Sequence, residues 1–239
     1  LREPSFDTSF MASTIHGKEV AAIVSLQLAA SEWLRVTQLC ALDESGVVSM
    51  WTVHRESLDA AAAGARPGSR LLLALAAVLR PDPAILRQSS SPTFLIANCL
   101  AAVPSREPLQ LLLGTDSGFI VSLSRSLKGS SAHSGPRLYK SPMQCFGEII
   151  CIRFSPFDKS ILAAGLSTGS ASIHRCGQSA PLLVLTPPGS SRSPALALEW
   201  SPMYRRRESE RARERTVFYT MHQSGHLLSW NLAIGKTPQ

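Results

Sequence analysis

Apolar residues alternate with small or polar residues in three short stretches near the middle of the chain. Residues 149–154, 161–165 and 170–174 have the alternation and the length of β-strands. Pro156, which has a fixed φ and no N–H to offer a sheet, follows the first stretch and predicts a turn. Gly169 precedes the third stretch and can adopt the positive φ of a tight hairpin. The pattern therefore predicts three consecutive antiparallel strands.

The same pattern occurs four times when the chain is aligned on this hairpin glycine. A serine or threonine precedes the glycine in each copy, an apolar run leads into the turn, and an alternating run leads out. The aligned glycine and the fifth residue after it are Gly46 and Trp51, Gly118 and Leu123, Gly169 and His174, and Gly225 and Trp230. We expect the tryptophans and the leucine to fill the seams between repeats, and the histidine to hydrogen-bond across its own repeat.

Units of three or four strands that repeat roughly every 40–50 residues are typical of a β-propeller of the WD-repeat kind. We predict an all-β fold in which residues 1–239 are part of one propeller domain. The chain begins at Leu1 rather than at a methionine, so we expect a piece of a longer protein. An open arc would leave unpaired strand edges, and we expect about seven blades in the complete ring. The blades predicted in this segment are residues 14–53, 92–125, 146–176 and 195–232.

Two stretches lengthen the spacing between blades and are predicted to be insertions. Residues 54–91 are rich in alanine, arginine, proline and serine, and residues 205–215 are a run of charged residues. Inside the first stretch, residues 71–78 are apolar but lie between Arg70 and Arg80. A membrane-spanning helix needs about 20 apolar residues. We therefore expect residues 71–78 to form a strand or a short helix packed on the fold, and we expect no membrane association.

The composition is that of a folded chain with reduced thiols. Hydrophobic residues make up 44% of the chain and charged residues 17%, so enough apolar surface is present for a packed core. Residues 1–13 do not have the charged and apolar regions of a signal peptide. The cysteines form no CxxC pair, and their odd number indicates buried, reduced thiols rather than a disulfide framework. These cysteines are Cys40, Cys99, Cys145, Cys151 and Cys176.

The net charge of +7 and the pI near 9.5 raise the question of an acidic partner. In residues 205–215, arginines and glutamates are interleaved, and no aromatic residue lies among them to stack on bases. A solvated loop is the favoured interpretation. Contact with an acidic protein surface is the alternative, and nucleic acid is the least favoured partner. The arginines of this candidate partner-binding loop are Arg205, Arg206, Arg207, Arg211, Arg213 and Arg215.

No combination of residues predicts catalysis, a metal site or a cofactor. His222 and His226 are four residues apart, but they flank a predicted hairpin turn and no third ligand is in view. The G-x-S-x-G motif of hydrolases is absent from the sequence. Residues 165–169 lack the lysine and the following helix of a phosphate-binding loop. We therefore predict that the protein is not an enzyme and holds no cofactor or metal.

The succession of blade motifs resembles the later blades of WD-repeat dynein intermediate chains. The motifs are LLGTDSGFI at residues 112–120, ICIRFSPFDKSILAAGLSTGSASIH at 150–174, APLLVL at 180–185 and TVFYTMHQSGHLLSWNL at 216–232. Within that family the chain is most similar to the intermediate chains of cytoplasmic dynein 2, the motor of retrograde intraflagellar transport. The resemblance spans residues 14–232. It departs from the strict WD pattern, because no copy has the Trp-Asp dipeptide.

The resemblance implies a non-catalytic subunit whose propeller docks on the helical tail of the dynein heavy chain. It implies further partners in intraflagellar transport particles, and a second intermediate chain and light chains bound through regions outside this segment. The implied locations are the cytoplasm and cytoskeleton, the cilium or flagellum, the axoneme and the basal body. The alternative is a general WD-repeat interaction scaffold, such as a ligase adaptor or a subunit of an RNA-processing complex.

Overall fold

The regular structure in the described part of the chain is entirely β-strand. The computed structural model describes residues 21–31, 36–54, 72–82, 96–104, 109–124, 136–140, 147–188, 193–201 and 216–233. The predicted all-β fold is confirmed, since these residues form four antiparallel sheets of three or four strands, like the blades of a propeller. The described sheets do not close into a ring. None of the described residues belongs to a helix long and apolar enough to cross a lipid bilayer.

Each sheet is a meander of strands that follow one another in the chain. Sheet 1 contains β1 (Ile23–Ser31), β2 (Val36–Asp43), β3 (Val48–His54) and β4 (Leu72–Leu79). Sheet 2 contains β5 (Ala97–Ala102), β6 (Gln110–Thr115), β7 (Ile120–Ser124) and β8 (Leu138–Tyr139). Sheet 3 contains β9 (Ile149–Phe154), β10 (Ile161–Leu166), β11 (Ala171–Arg175) and β12 (Leu183–Leu185). Sheet 4 contains β13 (Ala195–Trp200), β14 (Val217–His222) and β15 (Leu227–Asn231).

The stretch from 54 to 91, predicted as an insertion, supplies the outer strand of sheet 1. Strand β4 pairs antiparallel with β3, from Leu79 opposite Val48 to Leu72 opposite His54. Its residues 73–79 are all half-buried, so neither face is clearly inside or outside. This is why the sequence LLALAAVL lacks the two-residue alternation that identifies a strand with one buried face.

The first two strands of every sheet share one irregularity. The pairing of the first strand shifts by one residue near its start, which leaves one residue without a cross-strand partner. A bulge of this kind bends its strand and increases the twist of the sheet. Because the bulge recurs at the same place, the first two strands pair in the same register in all four sheets. The unpaired residues are Val24, Asn98, Ile150 and Leu196.

Three apolar clusters join the sheets face to face, in chain order. The first cluster joins sheets 1 and 2, the second joins sheets 2 and 3, and the third joins sheets 3 and 4. In β6, Leu111 and Leu113 belong to the first cluster, whereas Leu112 between them belongs to the second. A strand buried on both faces is apolar throughout, which explains the uninterrupted LLL. The first strands β1, β5, β9 and β13 also contact one another in this order.

Candidate functional site

The four aligned glycines occupy the same place in the hairpin between the second and third strands of their sheets. Their φ angles are 82°, 79°, 82° and 84° for Gly46, Gly118, Gly169 and Gly225. In each turn the glycine N–H donates to the carbonyl oxygen three residues earlier, at 2.9–3.2 Å. This backbone conformation is one that side chains with a Cβ rarely adopt. The glycine is therefore required by the turn itself and not by a ligand.

Side chains at the start of two turns complete the hairpins. The Asp43 carboxylate accepts from the Val47 N–H at 2.9 Å and from the Ser45 hydroxyl at 2.7 Å. In the next sheet the Thr115 hydroxyl accepts from the Phe119 N–H at 3.1 Å and donates to the Phe119 carbonyl at 2.8 Å. Short polar residues of this kind satisfy turn N–H groups that the sheet leaves unpaired.

In sheet 4 the fifth residue after the glycine begins a buried chain of hydrogen bonds. The Trp230 indole N–H donates to the Thr220 hydroxyl at 2.9 Å, and that hydroxyl lies 2.9 Å from His222 Nε2. His222 Nδ1 lies 2.9 Å from the carbonyl oxygen of Ser193. A carbonyl can only accept, so Nδ1 carries the proton and Nε2 accepts from Thr220. The chain ties β15, β14 and the segment before β13 together.

The corresponding residues of the other sheets are also buried. Leu123 belongs to the cluster between sheets 1 and 2. The Trp51 indole N–H donates to the Ser49 hydroxyl at 3.1 Å, and Ser49 in turn lies 3.4 Å from the Ala41 carbonyl. These residues hold sheets together and present no chemistry to solvent.

His174 differs from the other three because part of its polarity is unsatisfied. Its Nε2 lies 3.0 Å from the Ser172 hydroxyl on the same strand, whereas a bond across the repeat was expected. The ring meets the Tyr139 ring edge-on at 6.0 Å, which places it in the seam between sheets 2 and 3. Nδ1 is buried and has no hydrogen-bond partner. Burial lowers the pKa of His174 to about 4, so the imidazole is neutral at physiological pH.

A cysteine and a glycine lie side by side in two seams where the next sheet approaches closely. The Cys99 thiol donates to the Ile149 carbonyl of the next sheet at 3.8 Å, and a Cβ on Gly114 would lie 2.5 Å from Ile149 Cγ2. One sheet later, Cys151 donates to the Ala195 carbonyl at 3.7 Å. A Cβ on Gly165, opposite Cys151, would approach Ala195 Cβ to 3.2 Å. Glycine is needed here because the next sheet approaches so closely.

Burial suppresses the thiolate form of the cysteines that lie in the described strands. Cys40, Cys99, Cys151 and Cys176 form no disulfide, whereas Cys145 lies outside the described residues. Burial raises the pKa of Cys40 to about 11 and that of Cys99 to about 12, and the thiolate is the reactive form. Cys176 is partly exposed, which differs from the predicted burial because it lies in the turn after β11.

The two histidines weighed as a metal pair lie in different surroundings. His222 is buried and bonded at both ring nitrogens, whereas His226 is exposed and lies 2.8 Å from the Ser224 hydroxyl. Among the described residues no three His, Cys, Asp or Glu side chains are arranged to hold a metal ion. The six arginines of the candidate partner-binding loop at 205–215 lie outside the described residues.

The outer face of sheet 1, which we call the leading face, is exposed where the other sheets are covered. Leu26 is 63% exposed, whereas the residues that match it in the other sheets are 1–3% exposed. Ile23 is 52% exposed, and its matches are 0–1% exposed. In sheets 2, 3 and 4 these positions pack against the preceding sheet. The matches of Leu26 are Leu100, Ile152 and Leu198, and those of Ile23 are Ala97, Ile149 and Ala195.

The outer face of sheet 4, which we call the trailing face, shows the same difference. Leu227 is 67% exposed, whereas its matches Val48, Ile120 and Ala171 are 0–1% exposed. Met221 is 48% exposed and takes the place of the seam glycines. Sequence analysis did not identify either face, because these residues have the same apolar pattern as their buried matches. Their exposure depends on whether another sheet is present.

No protein family model matches the chain. The chain is 25% identical to human cytoplasmic dynein 2 intermediate chain 1 over 201 residues, which cover 81% of this chain and 17% of that protein. It is also 25% identical to the mouse protein of the same name over 171 residues, which cover 69% of this chain and 17% of that protein. The chain thus matches only 17% of the length of these curated relatives.

Proposed function

We propose that the chain is part of a non-catalytic intermediate-chain subunit of a dynein motor complex. The observation that carries the proposal is the similarity to dynein 2 intermediate chains over 81% of the chain. The described residues form four blade-like antiparallel sheets, which is the architecture that we propose for this subunit. Retrograde intraflagellar transport and cilium assembly are the processes that we propose it supports.

The construction of the sheets suits a platform that holds a partner. Three apolar clusters lock neighbouring sheets face to face, which makes their relative positions stiff. The buried histidines, serines and threonines described above are engaged in turns and seams, so their role is structural. We propose that loops or an outer face of this platform dock on the heavy-chain tail, and that the protein acts in the cytoplasm and the cilium.

Affinity purification from ciliated cells tests this function. The tagged full-length protein is expected to enrich a dynein heavy chain, detected by mass spectrometry, together with a second intermediate chain and light chains. An unrelated WD-repeat protein with the same tag is the control for non-specific recovery. Absence of any dynein heavy chain from the purified material would overturn the proposal. Recovery of ligase or RNA-processing subunits instead would support the general scaffold.

The arginines at 205–215 provide a second, more local test. If this loop contacts an acidic surface of the complex, replacing Arg205, Arg206 and Arg207 by glutamate is expected to weaken heavy-chain recovery and its salt sensitivity. A control with the same change in charge replaces the exposed Lys140, Lys159 and Arg175 by glutamate. Equal recovery with both variants and with the unchanged protein would exclude a binding role for the loop.

A further inference from the structure

The turn that leads into sheet 4 contains a serine followed by a proline, Ser193 and Pro194. Both residues are half-buried, and they precede Ala195, the first residue of β13. The β14–β15 hairpin holds the main chain of this turn. His222 Nδ1 donates to the Ser193 carbonyl at 2.9 Å, and the Gln223 N–H donates to the Pro194 carbonyl at 2.9 Å. The Ser193 side chain therefore projects from a fixed backbone.

The Ser193 hydroxyl belongs to a short chain of polar groups at the surface. It accepts from the Ser224 N–H at 3.3 Å and lies 2.8 Å from the Ser224 hydroxyl. The Ser224 hydroxyl in turn lies 2.8 Å from His226 Nδ1, and both residues are exposed. An N–H and a hydroxyl donate hydrogen bonds, and an imidazole donates from both nitrogens when it is protonated. All three groups can therefore bind the oxygens of a phosphoryl group.

The other Ser-Pro sequences that the structure describes lack these properties. Ser155 is 4% exposed, and its hydroxyl already accepts from the N–H groups two and three residues later. Ser201 is 8% exposed. Among the described serines that precede a proline, only Ser193 combines an accessible side chain with neighbouring groups that can receive a phosphoryl group. Thr186 also precedes a proline and is exposed, which makes it a suitable control position.

We propose that Ser193 is the acceptor of a proline-directed protein kinase, and that the tip of the β14–β15 hairpin binds the phosphoryl group. In the transfer, Ser193 Oγ bonds to the γ-phosphorus of ATP, the bond from that phosphorus to the β,γ-bridging oxygen breaks, and ADP leaves. The hydroxyl proton passes to a carboxylate of the kinase. The modified residue carries a charge of about −2, beside the Ser224 N–H and two hydrogen bonds from His226.

The modification would fasten the turn before β13 more tightly to the hairpin between β14 and β15. The Ser224 N–H already donates to Ser193 Oγ, and hydrogen bonds to an ionised acceptor are roughly twice as strong as those between neutral groups. Phosphorylation therefore makes this corner of sheet 4 more rigid and more negative. This inference does not depend on the proposed motor function.

Incubation of the folded, full-length protein with a proline-directed kinase and Mg-ATP tests the acceptor. Mass spectrometry of digested samples over time is expected to show Ser193 modified at least about 10-fold faster than Ser155 and Ser201, whose burial requires local opening first. Ser193→Ala is expected to remove this phosphate, whereas Thr186→Ala leaves it in place. Circular dichroism checks that both variants are folded. The proposal is overturned if Ser193 is modified no faster than the two buried serines.

Hydrogen exchange measured by mass spectrometry tests whether the hairpin binds the phosphoryl group. Phosphorylation is expected to slow exchange in residues 222–226 by about 5-fold, because the bond from the Ser224 N–H becomes charge-assisted. Phosphatase treatment should restore the original rate, and the matching hairpin at residues 166–170 of sheet 3 should not respond. His226→Gln, which cannot carry a positive charge, is expected to reduce the slowing. Unchanged or faster exchange in residues 222–226 after phosphorylation would show that the phosphoryl group is not bound there.

Discussion

At the residue scale, glycine serves two different physical purposes in this fold. Gly225 has a φ of 84°, and a Cβ added to it would meet no atom within 4 Å. Gly114 has no positive φ, but a Cβ there would lie 2.5 Å from both Cys99 Sγ and Ile149 Cγ2. Gly225 is needed because the turn requires a positive φ, and Gly114 is needed because a side chain there would collide with the neighbouring sheet. The sequence identifies Gly225 as a hairpin glycine, because a serine precedes it as in the other copies, whereas the reason for Gly114 is visible only in the structure.

Alanine substitutions separate these two costs. Gly225→Ala is expected to destabilise the fold by about 1–2 kcal/mol, because an L-residue is strained at this φ. Gly114→Ala is expected to cost about 1–3 kcal/mol through overpacking. Urea unfolding of both variants measures the losses. In an Ile149→Ala background the second cost should shrink, whereas the cost of Gly225→Ala should not change. An unchanged cost of Gly114→Ala in that background would show that the close approach to Ile149 is not its cause.

His174 makes the stability of the fold depend on pH. The unfolded chain takes up a proton near the ordinary pKa of 6.5, whereas the buried imidazole of the folded chain does so only near a pKa of about 4. The contribution of the neutral His174 to the free energy of unfolding is therefore fully present above pH 6.5 and is lost as the pH drops towards 4. Between pH 7 and pH 5 the expected loss is about 2 kcal/mol.

The variant His174→Leu, which copies the residue found at Leu123, isolates this contribution. From pH 7 to pH 5, the free energy of unfolding of this variant, measured in urea, is expected to fall by about 2 kcal/mol less than that of the unchanged protein. The comparison uses the difference between pH values, so a change in overall stability does not affect it. The same pH dependence in both proteins would exclude His174 as the titrating group.

At the scale of the element, the hairpins could be predicted from sequence, whereas only some of the outer strands could. A hairpin is local, and the residues from Asp43 to Val47 contain both the glycine and the polar side chain that the turn requires. The sequence of residues 71–78 fits a strand or a short helix equally well, because residues 73–79 of β4 are all half-buried. Strand β8 has just two residues, Leu138 and Tyr139, which is too short to show any periodicity. Its position is fixed by pairing with β7 and not by its own sequence.

The hydrogen-bond chain in sheet 4 is a property of this element as a whole. Replacing Thr220 by valine removes the acceptor of the Trp230 indole and the donor to His222 at once. Buried polar groups left without partners cost about 1–3 kcal/mol, so Thr220→Val is expected to be destabilising by about that amount in urea unfolding. Thr220→Ser keeps the hydroxyl and should retain most of the stability. Equal losses in both variants would point to packing of the methyl group instead.

At the scale of the whole molecule, the described sheets form an arc with covered seams and two open ends. The predicted count of four repeating units agrees with the four sheets, because each unit carries its own turn and its own apolar strands. The exposure of Leu26 and Leu227 could not be predicted, since it is set by which sheets are next to them in space. The hydrogen bond of His174 was predicted across the repeat, but its partner is Ser172, two residues earlier on the same strand.

The rate at which the buried cysteines are alkylated measures how often the seams between the sheets open. Cys99 and Cys151 lie in successive seams and have raised pKa values because of burial, so alkylation requires that the sheets separate. We expect iodoacetamide at pH 8 to modify the partly exposed Cys176 first, and these two only under conditions that unfold the chain. Mass spectrometry of digested samples over time measures each rate. Rapid modification of Cys99 in the native protein would show that its seam opens without global unfolding.

The bulge that starts every sheet also has a genetic consequence. Because each unit begins at the same irregularity and in the same register, an in-frame duplication from one bulge to the next would add an entire unit without disturbing the pairing inside its neighbours. Duplication of the unit that starts at Ala97 would place Gly114 against a second Ala97, a small pair of the kind already found between Gly165 and Ala195. A unit inserted after sheet 4 would instead be retained only if its first residue accommodated Met221. Growth of the gene is thus permitted at some junctions and restricted at others by a single side chain.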